Sequence, residues 1–525
     1  MSTAVTLPRV LTEPLGGSTL SQAMQRGQIP GLGKPWPTSP DEWRAAANAV
    51  RARFKGDAWW KDLAPAFGDT AVLPSLTRAA KDGLVVTTGQ QAGLFGGHML
   101  TLVKALSARA LANTLERSTG LPCATVFWAA TDDADFVEAA SVMIPGTGEA
   151  KTLTLTEAPP PGTPMSGGAL VGTELLLESM AAACGSSGTA TMALLRRAYR
   201  DGRTIGDAYV DFLRDLLAPL GIAVLDASHP AVRQAGRPLL RQALVEAPLI
   251  EERAEAWNKS LRKAGLPLQV ESVPGLSLVF AYEKGIKRRI PIVEAHKLAA
   301  TDTELSPTVL LRPVMEAAIL PTVAYVGGPG ELAYFAQVPP IAEGLRAARP
   351  TAVPRWSATI VEQGIERILT RYAVTVSDLA DYDGLLTRLV RDRMPPELAT
   401  PLAELRDDIA RAANALLAGA ERSGIDPKII EGLRAQLALR AGRGERRLIA
   451  ALKRREADLR RDLGTARASL YPAGIRQERA LSFVPFIARY DGALIERMLA
   501  EATVHADRIV GTTSVTTAAP VAAST

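Results

Sequence analysis

The sequence predicts an α/β protein, with a parallel sheet that carries ligand-binding turns and a separate long helical hairpin. Three observations predict it. Apolar runs over 84–86, 123–131, 221–226 and 320–326 read as buried strands, with helical patterns between them. Two of those runs pass straight into glycine-rich turns that open helices, the arrangement found where open sheets bind ligands. After Thr359 the texture changes to helix with few breaks.

Residues 1–80 mix proline-rich turns with one helical stretch, Pro40 to Phe54, opened by the cap signal Ser39-Pro40-Asp41-Glu42. Leu84-Val85-Val86 then leads into Thr87-Thr88-Gly89-Gln90-Gln91-Ala92-Gly93-Leu94-Phe95-Gly96-Gly97-His98 and an amphipathic stretch, Met99 to Leu115. The reading is strand, turn, helix. Glycines at 89, 93, 96 and 97 let backbone approach a ligand without Cβ interference. The helix N-terminus offers unpaired N–H groups to an anion, and Lys104 adds positive charge. The alternative is a tight turn whose glycines only serve helix–sheet packing.

Cys123 to Thr131 is a continuous apolar run, read as a buried parallel strand, and it ends in Asp132-Asp133-Ala134-Asp135. Residues 145–190 are rich in Gly, Pro and Thr, with Thr152 to Thr156 as a candidate strand, and read as an insertion. Gly221 to Asp226 is another strand ending in an acid. Helical patterns follow to about Lys263, and Leu268 to Tyr282 reads as two short strands. Leu320 to Val326 runs into the second turn, Gly327-Gly328-Pro329-Gly330-Glu331. Proline is favoured at a helix start because its missing N–H is not needed there. Two such turns at strand ends imply two walls of one crevice.

Leu402, Leu405, Ile409, Ala412, Leu416 and Gly419 recur with heptad spacing. Ser423-Gly424-Ile425-Asp426-Pro427 turns the chain. A second helix is expected from Pro427 to about Leu463, with Leu433, Leu437, Leu448, Leu452 and Leu459 on its apolar face. Seams of this length usually bind something, most often another copy of themselves, so a homodimer is expected; the alternative is a plain structural helix pair inside one domain. Arg440 to Asp462 holds nine Lys or Arg against four Asp or Glu, an excess equal to the +5 of the whole chain. The rest is nearly neutral, which permits anionic substrates and makes nucleic acid an unneeded partner.

The chain has 525 residues, 47% of them hydrophobic, enough for more than one domain. No apolar run reaches the ~20 residues that span a bilayer. The first residues show no charged region leading into an apolar stretch, so a cytoplasmic protein is expected. Two cysteines and four histidines, without CxxC or HxxxH spacing, exclude a Cys-rich zinc site, and no metal site is expected.

Asp132, Asp133 and Asp135 could hold an ammonium or a cation, or act as a base, with a helix N-cap as the alternative for one of them. Glu331 could bind an ammonium, or merely sit in the first turn of a helix. Arg312, in an apolar setting before Pro313, suggests carboxylate or phosphate binding, or else an internal ion pair. His229 and His296 receive no role. Phe95-Gly96-Gly97-His98 faintly resembles the HxGH motif of class I aminoacyl-tRNA synthetases and nucleotidylyltransferases, with Phe95 in place of the first histidine.

Several segments together resemble one family. They are Thr88 to Gly97, Val126-Phe127-Trp128 ending in Asp133-x-Asp135-Phe136, Leu310-Leu311-Arg312-Pro313 with Leu320-Pro321-Thr322, Ala324 to Glu331, and Gln477-Glu478-Arg479. In this order, over about residues 80–500, they are similar to the cysteine-adding enzymes of bacillithiol biosynthesis, the BshC family. The resemblance implies a Rossmann-like core related to class I synthetases and nucleotidylyltransferases, with inserted connecting segments, and a coiled coil that mediates dimerisation. On this chain that gives a core over 1–375 with insertions at about 145–200 and 230–285. An antiparallel coiled coil follows over 376–470, then a return to the core over 471–510 and a disordered tail over 511–525.

The reaction implied is amide formation between L-cysteine and glucosaminyl-malate, the last step to bacillithiol, with ATP and Mg expected for activation. Gln90, Gln91, Gly93, Gly96, Gly97 and His98 would line the nucleotide or acid pocket, together with Lys104, Gly327, Gly328 and Glu331. Asp133 and Asp135 would hold the amine, and Arg312 a carboxylate. His98, Asp133 and Asp135 are the expected catalytic set. This chain has Ala134 where the family commonly has histidine, and His98 where it commonly has proline. A scaffold with an altered site and a nucleotidylyltransferase are the alternative readings.

Overall fold

The computed structural model describes residues 6–54, 56–186 and 188–512. Of the expected disordered tail, residues 513–525 lie outside the described residues. The chain divides into two compact units. One comprises 1–144, 151–360 and 477–525, the other 145–150 and 361–476.

The first unit is built on five parallel strands in the order Ala352–Pro354, Thr322–Gly327, Leu84–Gln91, Cys123–Ala130 and Ile222–Asp226. Numbered along the chain, that order is 5-4-1-2-3, the doubly wound arrangement whose direction of winding reverses between the first and fourth strands. Both strands at this switch point end in the two glycine-rich turns. Thr88 Oγ1 donates to the Val326 carbonyl at 2.8 Å across the pair, locking their ends together. The strand Cys123–Ala130 is buried on both faces until its last residue, which is why its sequence is an unbroken apolar run.

The helix Met99–Thr119 is not amphipathic as expected. It is buried nearly all round, because the sheet covers one side and the C-terminal helix Val484–Val510 the other. Gly120, at φ 74°, ends it in a left-handed cap. Asp507 of the C-terminal helix fixes the contact by accepting from Thr114 at 3.0 Å and Arg117 at 3.1 Å.

Long segments interrupt the winding. Between the second and third sheet strands lie the hairpin Ser141–Ile144/Lys151–Thr154 and the helices Thr173–Cys184, Thr189–Ala198 and Ile205–Leu217. Between the third and fourth come helices Pro230–Val245 and Ala247–Lys263 and a small antiparallel sheet of Leu276–Glu283, Ile286–Pro291 and Leu305–Pro307. Only one strand forms where two were expected over 268–282; its partners lie later in the chain.

The second unit is helical. Its long pair is Pro396–Ser423 and Pro427–Arg455, joined at Gly424, which adopts φ 67°. The second arm does not run unbroken to Leu463: it stops at Glu456 and resumes as Ala457–Leu470. Within the pair the buried positions include Ala413, Ala420, Ile449 and Leu452, and Glu445 takes Arg406 and Arg391. Leu405, Leu416, Leu433 and Leu437 of the expected seam are 40–48% exposed in the single chain.

Candidate active site

A cavity of about 1160 Å³ opens at the C-terminal ends of the sheet strands, at the switch point. Its lining includes Gln90 and Gln91 from the end of the first strand, Asp132 and Asp133 after the second, and Gly328 to Glu331 after the fourth. Of the two turns expected as walls of one crevice, the second lines the cavity directly and the first contributes only its leading residues, Gly89 to Gln91. Arg312, Arg355 and Arg479 also line it, and the small antiparallel sheet contributes Lys287 and Arg289.

The glycine-rich turn itself does not face this cavity. The N–H groups of Gly96 and Gly97 are bonded within the protein. Gly96 N–H donates to Tyr199 Oη at 2.9 Å, Tyr199 donates onward to the Gly93 carbonyl at 2.7 Å, and Gly97 N–H returns to the Leu94 carbonyl. At the helix start, Met99 N–H donates to the Leu481 carbonyl at 2.7 Å. Gly96 sits at φ 81°, and a Cβ there would lie 2.7 Å from Phe212 and 2.8 Å from Phe483. Phe95 packs edge-on against Tyr199, which packs in turn against Phe212. Gly96 thus serves aromatic packing, Gly93 accepts from Tyr199 and lies against Gly97, and Gly97 lies against Thr101; none of the three lines the cavity. His98 caps the helix geometrically without a side-chain bond, and its backbone pairs with Ser482. It is absent from the cavity lining. Burial, and then the charge of Arg479, push its imidazole below the usual histidine range, so it is held neutral.

Lys104 is 2% exposed and does not reach out to a ligand. It donates to the Gly89 carbonyl, to Gln90 Oε1 at 3.2 Å and to Glu331 Oε2 at 2.6 Å. Burial lowers its pKa below that of a free lysine, with Glu331 opposing the shift. Glu331 accepts in addition from Gly328 N–H at 2.7 Å and from the Tyr325 hydroxyl. Burial alone would raise this carboxyl; Lys104 and these donors outweigh it and keep it below the usual range. Glu331 is both the helix-start residue and the clamp on Lys104. Gly327 lies under its side chain, outside the cavity lining, while Gly328 is on the wall.

Arg312 lines the cavity, yet its guanidinium is committed to Glu316 at 2.6 Å and to the Tyr334 hydroxyl at 2.7 Å. The internal ion pair is what the structure contains. The acidic run also splits by task. Asp132 pairs with Lys287 at 3.2 Å and accepts from Ser306 at 3.2 Å. Burial would raise the Asp132 carboxyl, but Lys287 outweighs it and holds the carboxyl low; Asp132 in turn raises Lys287 against the effect of burial. Asp133 accepts from Gln91 Nε2 at 2.7 Å and from Asp135 N–H at 3.1 Å. Asp135 is exposed, lies off the cavity and caps the short helix Phe136–Ala139 through Glu138 N–H. Among the described residues, no group of three or more His, Cys, Asp or Glu side chains is placed to hold a metal.

Sequence reasoning missed Lys287, Arg289, Arg355 and Arg479 as cavity groups. Lys287-Arg288-Arg289 reads as an ordinary basic strand, and nothing in it marks Asp132 as a partner. Gln477-Glu478-Arg479 did carry a signal. Glu478 holds Arg355 in a two-bond clamp at 2.6 and 2.8 Å, Gln477 ties down both the N–H and the carbonyl of Ile360, and Arg479 is left on the cavity wall. Arg479 has no hydrogen bond or ion pair to the described residues.

The chain matches two family models that together run from residue 68 to residue 508. The first is the N-terminal Rossmann-like domain of bacillithiol biosynthesis BshC, over residues 68–356. The second is the C-terminal coiled-coil domain of bacillithiol biosynthesis BshC, over residues 358–508. The second match runs on through the helix Val484–Val510, which packs on Met99–Thr119 in the sheet unit. The chain is 32% identical over 442 residues to "Putative cysteine ligase BshC" of Solibacter usitatus, covering 79% of this chain and 82% of the relative. It is 30% identical over 452 residues to the protein of the same name from Koribacter versatilis (81% and 83%) and 28% identical over 445 residues to that of Salinibacter ruber (79% and 80%).

Proposed function

The chain belongs to the bacillithiol biosynthesis BshC family, and from that premise we propose that it is a cysteine ligase. It joins the carboxyl of L-cysteine to the amine of glucosaminyl-malate, the last step to bacillithiol, with ATP as co-substrate. One observation carries this reading: a single cavity at the switch point presents groups of both signs, Asp132, Asp133 and Glu331 beside Lys287, Arg289 and Arg479. An amide bond brings together a carboxylate and an amine, and the second substrate also carries the carboxylates of malate. A carboxylate is a poor electrophile, and ATP supplies the leaving group that activates it. The chain's own part is to bind and orient. The acidic side takes the amine. Arg479, which forms no ion pair with the described residues and acts on the Glu138 carboxylate only at longer range, takes an anionic group together with Arg289. Phosphates are read on this basic wall and not by the glycine turn, whose Gly93, Gly96 and Gly97 lie off the cavity and whose Gly96 and Gly97 N–H groups are already bonded.

The test is direct. Purified protein with L-cysteine, glucosaminyl-malate and ATP–Mg should yield bacillithiol by mass, and omitting ATP should abolish it. Pyrophosphate release without amide would favour a nucleotidylyltransferase. No calorimetric affinity for cysteine, glucosaminyl-malate or nucleotide would favour a scaffold. A reaction that consumed ATP would be expected in the cytoplasm; among the described residues no helix is long and apolar enough to cross a membrane. The exposed Leu405, Leu416, Leu433 and Leu437 support homodimerisation through the helical pair. Light scattering should give twice the 55.7 kDa chain mass, and Leu416→Glu with Leu433→Glu should give the monomer.

A further inference from the structure

The two adjacent glutamines at the end of the first sheet strand are held in opposite senses, and chemistry alone fixes which way each amide points. The ammonium of Lys104 has only donors, so the atom of Gln90 facing it at 3.2 Å is the amide oxygen. An ionised carboxylate has only acceptors, so the group of Gln91 facing Asp133 at 2.7 Å is the NH₂. What remains is complementary. Gln90 retains its NH₂, Gln91 retains its carbonyl oxygen, neither has a further partner among the described residues, and both residues line the cavity. They are the last two residues of the strand, so their side chains leave it on opposite faces and reach the cavity from either side of the strand end.

The buried charges behind the amides strengthen this division. A cation bonded to the oxygen of Gln90 withdraws electron density and makes its N–H a better donor to an anion. An anion bonded to the NH₂ of Gln91 does the reverse and makes its oxygen a better acceptor from a cation. Lys104 cannot turn away to meet a ligand itself, because its three protons are taken by Gly89, Gln90 and Glu331. Trp128, 2% exposed, lines the same cavity, and its indole N–H has no acceptor among the described residues.

We propose that Gln90 and Gln91 form a subsite for the zwitterion of a free α-amino acid, with Gln90 Nε2 donating to the carboxylate and Gln91 Oε1 accepting from the ammonium. Lys104 and Asp133 are positioning residues that set the two amides. The inference rests on the ligase reading for the identity of the amino acid, L-cysteine, but not for the class of ligand.

The experiment is calorimetric binding of L-cysteine, of cysteamine, which lacks the carboxylate, and of 3-mercaptopropionate, which lacks the ammonium, followed by a panel of other L-amino acids. The wild type should prefer L-cysteine to both analogues. Gln90→Leu should lower the preference over cysteamine about tenfold, the loss of one charge-assisted hydrogen bond, and leave the preference over 3-mercaptopropionate nearly intact. Gln91→Leu should do the opposite. Lys104→Met should copy Gln90→Leu, and Asp133→Leu should copy Gln91→Leu. Because Lys104→Met strands a buried Glu331, the double variant Lys104→Met/Glu331→Gln is the second arm and should show the same ratio. A purely structural role for Lys104 would change thermal stability and leave the ratios alone. Folded variants with unchanged ratios overturn the subsite, as does a wild type that binds no amino acid of the panel. If a different amino acid binds with these same dependences and no bacillithiol forms, the subsite stands and the cysteine ligase reading fails. If bacillithiol forms and the ratios do not move, the ligase reading stands and the subsite fails.

Discussion

The two glycine-rich turns look alike in sequence and do opposite work. In the first, Gly93 to Gly97, Gly96 admits Phe212 and Phe483 against the backbone, Tyr199 bridges Gly96 N–H and the Gly93 carbonyl, and none of the turn's glycines lines the cavity. In the second, Gly327 to Glu331, the turn is laced by its own carboxylate to a lysine buried beneath the sheet end, and Gly328, Pro329, Gly330 and Glu331 line the cavity. Glycine density reports that something comes close to the backbone. Whether that is a ligand or an aromatic ring depends on residues distant in the chain.

The largest effect expected from breaking this contrast is at Glu331. Glu331→Ala leaves Lys104, 2% exposed, without its counter-charge, and removing one partner of a buried pair costs about 3–5 kcal/mol. Urea unfolding measures it, and adding Lys104→Met should recover part of the loss. On the first turn, Gly96→Ala sets a Cβ 2.7–2.8 Å from two rings at φ 81°, with a combined strain and overpacking cost of about 2–4 kcal/mol. The surviving folded protein should keep its affinity for L-cysteine within twofold, about 0.4 kcal/mol. A weakening on the scale of the stability loss would show that the first turn does contact ligand.

A smaller effect separates the acidic run from both turns. Lys287 holds the Asp132 carboxyl below its ordinary 3.8 despite burial. A depressed carboxyl contributes stability that is fully present above the unfolded pKa and is lost as pH falls through the folded value. Stability measured downward from pH 4 should therefore fall more steeply in the wild type than in Asp132→Asn, which has no carboxylate to protonate. Parallel profiles would mean that the pair contributes nothing.

The core of the fold was legible because buried parallel strands must be continuous apolar runs, and the runs at 123–131, 221–226 and 320–326 had no other reading. The helix 99–119 was misjudged as amphipathic because a helix some 370 residues later covers its outer side, and no local pattern announces that. The candidate site was half legible. Gln90, Gln91, Asp133 and Glu331 sit at strand ends and carried their own signal. Lys287 and Arg289 come from an inserted sheet whose position over the cavity is a matter of tertiary packing. The sequence could place Lys104 on the helix, but not say that its three protons were already spoken for.

His98 gives the smallest effect and the sharpest separation of the two turns' roles. It stands at φ −78°, near the angle that proline enforces, and its N–H makes no hydrogen bond to the described residues. His98→Pro should therefore cost less than about 1 kcal/mol and leave ligase turnover within a fewfold. A loss of a thousandfold or more would instead identify His98 as a group that meets the reacting atoms. The same histidine should appear in the pH dependence of stability. Its folded pKa lies below the ordinary 6.5, chiefly through burial, so between those two values the unfolded chain binds more protons than the folded one. Stability then rises with pH across that window and is lost as pH falls from about 6.5. His505, lowered in the same direction by burial, adds to the slope. His98→Pro should remove only the share of His98, so a residual slope is expected from the variant, and an unchanged slope would mean that His98 titrates in the folded protein as it does in the unfolded one.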